Sequence, residues 1–195
     1  MRPENVVLVL LAAGQSGRFE GGDKLAEPFL REPLGMHVVT ALENVPFKAR
    51  VAVVSNTTLD YAARGYRVVE NPHPEDGQAS SLALLVQAAA EEDPLAVMVA
   101  LADMPRVPAG HIYHLLDAAN GPDTIVASSD GVQPRPPALL GRNHFADLIA
   151  IGGDREGVRE FIKRGKHVVA SPEVLVDIDT QEDLQALRRR FGVDC

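Results

Sequence analysis

Leu10-Leu11-Ala12-Ala13-Gly14-Gln15-Ser16-Gly17-Arg18-Phe19-Glu20-Gly21-Gly22-Asp23-Lys24-Leu25 is the stretch that decides the fold. It starts as the end of an apolar run, passes into a loop rich in glycine, and carries two cations, Arg18 and Lys24. A β-strand that empties into such a loop turns consecutive backbone N–H groups towards an anion. Glycine serves there because φ is positive or because phosphate comes close to the backbone. The stretch therefore reads as a cradle for a nucleoside triphosphate, with a surface turn carrying incidental charges as the alternative. It follows neither Gly-x-Gly-x-x-Gly nor the P-loop pattern ending in Gly-Lys-Ser/Thr, which disfavours dinucleotide binding and P-loop hydrolysis.

Working outward, residues 5–11 are a continuous β-branched and leucine run, short and uniformly apolar, as suits a parallel strand buried on both faces. Further strands are expected at 50–55, 66–70, 95–101, 124–128, 135–140, 167–170 and 174–178. Helices are expected at 36–45, 58–64, 80–92, 108–119, 143–149 and 155–164. A last helix opens at Thr180-Gln181-Glu182-Asp183, an N-cap with an acid three residues on. Asn71-Pro72-His73-Pro74-Glu75-Asp76-Gly77 breaks regular structure. The alternation of strand and helix, without repeat or linker, predicts one three-layer α/β/α domain over residues 1–195 with a mostly parallel sheet. Ligands of such sheets sit beyond the carboxyl ends of the strands. The glycine-rich loop, Ala102-Asp103 and residues 177–179 all begin where an expected strand ends, so they are expected to meet.

Composition sets the outer limits. The 195 residues are 46% hydrophobic and 24% charged, the mix of an ordinary globule, with a formal net charge of −8. That charge disfavours nucleic-acid binding, which depends on neutralising phosphates with surplus Lys and Arg. Cys195 is the only cysteine, so neither an intramolecular disulfide nor a cysteine-based metal site is expected. The longest apolar run, residues 6–13, is far short of the roughly 20 residues of a membrane span. With no leader pattern at the amino terminus, a cytoplasmic location is the expectation.

Asp103 is the strongest single candidate for chemistry. Met104-Pro105 forces a turn behind it, which aims its carboxylate into the cleft over the strand ends. Mg²⁺ takes oxygen ligands, keeps several waters and uses one or two carboxylates plus substrate phosphates. Asp103 with either Asp177 or Asp179 supplies that minimum. Strand alternation favours Asp177 as the second metal ligand, provided that Val176 faces the core. Each aspartate also suits a helix cap, and so do Ser80 and Ser81, whose hydroxyls otherwise reach a ribose or base edge. Arg155, Arg159, Lys163 and Arg164 lie on one expected helix, either as a solvated face or as a site for an acceptor's phosphate. The six histidines lack metal-ligand spacing.

The loop resembles the signature of the MobA-like nucleotidyltransferases, Leu-Ala-(Ala/Gly)-Gly-x-(Ser/Gly)-x-Arg-(Phe/Met) followed by Asp-Lys. Arg18, Phe19, Asp23, Lys24 and Leu25 fall in place. Later segments resemble the same family in the same order: Asn71 with Gly77-Gln78-Ala79-Ser80-Ser81-Leu82, Leu101-Ala102-Asp103-Met104-Pro105, Gly153-Asp154-Arg155, and Asp177-Ile178-Asp179-Thr180 with Glu182-Asp183-Leu184. Ala12-Ala13-Gly14, Gly22-Asp23-Lys24-Leu25 and Pro137-Ala138-Leu139-Leu140 are most similar to the branch that transfers CMP to molybdopterin.

The resemblance implies a fold of the nucleotide-diphospho-sugar transferase (GT-A-like) type. It implies Mg²⁺ as cofactor, CTP or another triphosphate as donor, a phosphorylated acceptor of the molybdopterin type, and a molybdoenzyme partner that receives the product. Arg18, Lys24 and Asp103 are then catalytic; Leu11, Ala12, Ala13, Gly14, Ser16, Gly17, Arg18, Lys24, Asn71, Gly77, Ser80 and Ser81 bind nucleotide; Asp103 and Asp177 hold the metal. Ala102 stands where the family has glycine before the metal aspartate, and Leu30-Arg31 where it has small residues. GTP, a sugar or polyol phosphate acceptor, and a non-catalytic cofactor carrier are the rival readings. A carrier has no need of Asp103, Lys24 and Arg18 together.

Overall fold

The computed structural model describes residues 1–13, 19, 22–72, 84, 86–151 and 155–192, with the side chains of 155–157 left aside. The apolar run at the start of the chain becomes β1 (Val6–Ala12), whose first five residues are buried. It is flanked by β4 (Ala49–Val54) on one side and β6 (Ala96–Leu101) on the other, both parallel to it. Buried on both faces, these strands hold two core clusters apart. One contains Leu8, Leu10, Met98 and Leu115; the other contains Val7, Val9, Val97 and Ile162. Each fully buried Val or Leu side chain contributes roughly 1.5–3 kcal/mol.

The seven-stranded sheet runs β5-β4-β1-β6-β8-β7-β9, with β5 at Arg67–Glu70, β7 at Ile125–Ser129, β8 at Pro134–Gly141 and β9 at Lys166–Val169. β8 is antiparallel to β6 and to β7, while β7 and β9 are parallel, so β8 alone runs against the rest. A small hairpin, β2 (Pro28–Phe29) with β3 (Glu32–Pro33), stands apart from this sheet. Its turn holds Leu30 at φ 54°, left-handed and 46% exposed, at a position where small residues turn more cheaply. Helices α1 (His37–Leu42), α2 (described at 86–90), α3 (Ala109–Asp117), α4 (Phe145–Ile151), α5 (Arg155–Lys163) and α6 (Gln181–Arg190) fill in between and after the strands.

Most expected elements are present within a residue or two. Two are not. Residues 58–64 contain only the short 3-10 turn Ala62–Arg64. Residues 174–178, expected as a late strand, form turns and irregular backbone instead. Leu175 and Ile178 are both fully buried there, a spacing of three that no strand can present to one face. The N-cap at Thr180 is as expected, and it is a full capping box with Asp183.

One topological feature positions the site. From β1 the chain moves outward to β4 and β5 on one side, then crosses to β6 on the other side of β1. The crevice beyond the carboxyl ends of β1 and β6 is therefore the switch point of the sheet, where open α/β folds bind ligands. The glycine-rich loop follows β1 and Asp103 follows β6. The Ala102 N–H donates to the Leu11 carbonyl at 3.0 Å, which holds the two strand ends side by side.

Candidate functional site

Asp103 lies two residues beyond β6 in a turn closed by the Met104 N–H, which donates to the Leu101 carbonyl at 3.3 Å. Ala102 and Met104 on either side are buried, and Asp103 itself is only 7% exposed. A carboxylate in such surroundings needs a counter-charge. Lys24 provides it: Nζ donates to Asp103 Oδ2 at 2.8 Å, to the Ile178 carbonyl at 2.7 Å and to Asp179 Oδ1 at 3.4 Å. Burial pushes the Asp103 carboxyl above the usual carboxylate range; the Lys24 charge and hydrogen bond oppose this, and Asp177 and Asp179 add to it. Among the described residues, its Oδ1 is buried without a hydrogen-bond partner.

Lys24 is itself fixed by its neighbours. It opens the 3-10 turn Lys24–Ala26, which Asp23 caps by accepting from the Leu25 N–H at 3.0 Å. The other Asp23 oxygen accepts from the Thr57 hydroxyl at 2.7 Å. The acidic segment is held from the other side, since the Ile178 N–H donates to the Asp103 carbonyl at 3.0 Å. Phe19, from the glycine-rich loop, shares one buried apolar cluster with Phe29, Ile178, Leu184 and Leu187. That cluster seats α6 and the acidic segment over the switch point. Beneath the site, burial and then the nearby Asp23 charge raise the phenol of Tyr61 above its ordinary value, and it stays protonated.

The structure places the two candidate second metal ligands differently. Asp177 Oδ1 lies 3.9 Å from Arg135 and its side chain is half exposed, yet its charge still reaches Asp103 and raises that carboxyl. Asp179 is the acid that joins Asp103 around Lys24. Alternation selected Asp177 only on the premise of a strand, and residues 176–179 are irregular. The other candidate residues lie at the strand ends or beyond the described residues. Leu11 and Ala12 end β1 at the crevice and Ala13 follows, the two alanines buried. Asn71 is buried just past β5, its N–H donating to the Val54 carbonyl at 2.9 Å. Gly14, Ser16, Gly17, Arg18, Gly77, Ser80 and Ser81 lie outside the described residues, and so does the Arg155 side chain.

Three contributors escaped the sequence reading. Thr57 had no motif around it, the Ile178 carbonyl is backbone, and Arg135 was hidden in an irregular proline-rich strand. Chemically, the donor set is of hard oxygens with one buried cation. Among the described residues, no three His, Cys, Asp or Glu side chains form a metal cage. The orphaned Oδ1 of Asp103 beside Asp179 nevertheless fits a hard divalent cation that brings its own waters and shares a substrate's phosphates. No helix among the described residues is long and apolar enough to cross a membrane.

Comparison with known proteins places the fold and the family. A probable molybdenum cofactor guanylyltransferase of Haloferax mediterranei is 27% identical, with 93% of this chain and 92% of that protein covered. Among solved structures, a homologue of the Mycobacterium tuberculosis protein rv0371c from mycobacterium sp. strain JC1 superposes with a TM-score of 0.78 at 21% identity, over 98% of both chains. The Mycobacterium tuberculosis H37Rv protein Rv0371C, solved in complex with manganese, superposes with a TM-score of 0.70 at 19% identity, covering 93% and 97%. These likenesses bear out the three-layer α/β/α fold. The chain matches the MobA-like NTP transferase domain over residues 8–169 and belongs to that family of nucleotidyltransferases.

Proposed function

We propose that the protein transfers CMP from CTP to the terminal phosphate of a molybdopterin-type acceptor, with Mg²⁺ as cofactor and release of pyrophosphate. The observation that carries the reading is the Lys24–Asp103 pair at the switch point, with Asp103 Oδ1 left over for a cation. The cytidylyl choice rests on Ala12-Ala13-Gly14 and Gly22-Asp23-Lys24-Leu25. GTP is the second reading, because the relative from Haloferax mediterranei bears the name of a guanylyltransferase.

An oxygen of the acceptor's phosphate attacks the α-phosphorus in line and forms one P–O bond. The bond from the α-phosphorus to the bridging oxygen of the β-phosphate breaks, and pyrophosphate leaves with the electron pair. A phosphate nucleophile is already ionised near neutral pH, so no general base is required. The protein's work is positioning and charge neutralisation. Asp103 and Asp179 would hold the Mg²⁺, which when bound draws charge from the triphosphate. Asp177, the second ligand expected from the sequence, is freed for Arg135. Lys24 keeps the carboxylates apart from each other's repulsion and adds a compact positive charge; Arg18 is the bidentate phosphate contact. A molybdoenzyme that takes up the product is the partner this chemistry implies.

Incubating the protein with each of the four ribonucleoside triphosphates, Mg²⁺ and molybdopterin tests the reading by release of pyrophosphate. CTP is expected to be consumed fastest. Faster consumption of GTP selects the second reading, and no consumption of any triphosphate while molybdopterin still binds selects a carrier.

A further inference from the structure

Residues 57–61, in the irregular segment that follows β4, send two hydroxyls towards the turn that carries Lys24. The first is bonded: Thr57 donates to Asp23 Oδ2 at 2.7 Å, and its oxygen accepts from the Leu59 N–H at 3.2 Å. The second belongs to Tyr61, which is only 1% exposed. Among the described residues, the Tyr61 hydroxyl has no hydrogen-bond partner.

Gly35 shows where that hydroxyl sits. A Cβ added to Gly35 would lie 2.8 Å from the Tyr61 hydroxyl oxygen, 3.0 Å from Leu25 Cβ and 3.0 Å from Leu59 Cδ1. Gly35 does not have a positive φ, so what it supplies here is room rather than backbone freedom. The hydroxyl therefore lies under the Lys24–Ala26 turn, beside the residue whose N–H donates to Asp23 Oδ1. Burial above all holds the phenol protonated, and of the two carboxylates that reinforce it Asp23 acts more strongly than Asp103. Each Asp23 oxygen accepts one hydrogen bond, from Leu25 or from Thr57, and a carboxylate has sites for about four.

A buried hydroxyl that makes no bond costs free energy that a phenylalanine of the same shape does not. The free protein gains nothing from the Tyr61 oxygen, so its use belongs to another state of the turn. Lys24 is held by Asp103, Asp179 and the Ile178 carbonyl. A triphosphate competes for its ammonium, and Asp23, one residue before it, shifts with the turn.

We propose that Tyr61 is a positioning residue of the triphosphate site: its hydroxyl donates to Asp23 once Lys24 turns to phosphate, and this bond holds the turn in its loaded pose. The assignment rests on Lys24 meeting phosphate, as in the transfer reading above. A bond made only in the loaded state adds to affinity, because a ligand gains whatever differs between the two states. Tyr61 acts through Asp23 and touches no substrate.

Tyr61→Phe in the full chain tests this, since it removes the oxygen and keeps the ring that stands edge-on to Tyr66. Its two readouts move in opposite directions. The urea midpoint of the free protein is expected to equal or exceed that of wild type, because an unpaired hydroxyl is gone. Calorimetric affinity for tripolyphosphate in Mg²⁺, a probe with neither base nor sugar, is expected to fall about tenfold, the scale of one hydrogen bond to a charged group. Tyr66→Phe, on the neighbouring ring, is expected to change that affinity by less than about twofold. Unchanged tripolyphosphate affinity in Tyr61→Phe, a lowered midpoint, or an equal loss of affinity in Tyr66→Phe overturns the assignment. If wild type binds tripolyphosphate but neither CTP nor GTP, the transfer reading fails and the tripolyphosphate comparison still decides the role of Tyr61. If it binds none of the three, both fall.

Discussion

The ammonium of Lys24 donates to the Asp103 carboxylate at 2.8 Å across 79 residues of sequence, in a site where both side chains are buried. The pair is asymmetric in what it costs to break. Asp103→Asn removes a charge that burial already disfavours and leaves Lys24 with the Ile178 carbonyl and Asp179. It is expected to lower stability by less than about 2 kcal/mol. Lys24→Met strands an ionised carboxylate and is expected to cost about 3–5 kcal/mol. Urea unfolding of the two variants checks the order; a larger loss in Asp103→Asn contradicts the account.

On catalysis the ranking changes. Asp103→Asn is expected to reduce triphosphate turnover by on the order of 10²- to 10³-fold, the scale of losing one electrostatic stabiliser, with the circular dichroism spectrum unchanged. Turnover within a factor of about two of wild type would remove Asp103 from the site.

Asp179 and Asp177 separate in the same assay. Asp179 Oδ1 lies 3.4 Å from Lys24, whereas Asp177 Oδ1 lies 3.9 Å from the Arg135 guanidinium. Asp179→Asn is therefore expected to raise the Mg²⁺ concentration for half-maximal rate, and Asp177→Asn to leave that concentration nearly unchanged. The reverse result restores Asp177 as the ligand.

His111 supplies a pH dependence unrelated to the site. It is buried between α3 and β7, with Nε2 and Ser128 Oγ 2.7 Å apart, and the Ser128 hydroxyl donates to the Pro137 carbonyl at 2.8 Å. Because the serine proton is committed to Pro137, Nε2–H must donate to Ser128. Burial, reinforced by His114, lowers the His111 pKa below its ordinary 6.5. A depressed histidine pKa means that folding favours the neutral ring. Its contribution is present in full above pH 6.5 and is lost as the pH falls through 6.5 towards the folded value. The urea midpoint is expected to fall between pH 7.5 and 5, and to fall less steeply in His111→Gln; parallel slopes would contradict this.

Gly141 tests the sheet. A Cβ added there would lie 2.0 Å from the Pro122 carbonyl oxygen and 2.5 Å from its carbon. Both are backbone atoms, which cannot turn aside as a flexible side chain would. Gly141→Ala is expected to destabilise by about 1–3 kcal/mol or more, read as a lower thermal midpoint.

Much of this molecule was legible in the chain alone. Apolar runs of strand length between helical stretches specify a mostly parallel sheet, because strands buried on both faces read as continuous runs. A loop that follows the first of them must then sit at the sheet's carboxyl edge. Asp103 was visible for the same reason, as an acid closing a buried strand, and Thr180 with Asp183 as a local capping pattern.

What the tertiary structure decided concerns residues whose partners are remote. Residues 174–178 are irregular because packing Leu175 and Ile178 into the core overrode the alternation that a strand would have imposed, and that removes the premise on which alternation favoured Asp177. Lys24 reads in sequence as a cation for phosphate, and only the fold brings the Ile178 carbonyl and two carboxylates to its ammonium. Arg135 emerged as the partner of Asp177 only once the fold carried β8 alongside residues 174–178. Periodicity and spacing report which face a residue takes within its own element. Which charge it meets there depends on how distant elements pack, and no local pattern encodes that.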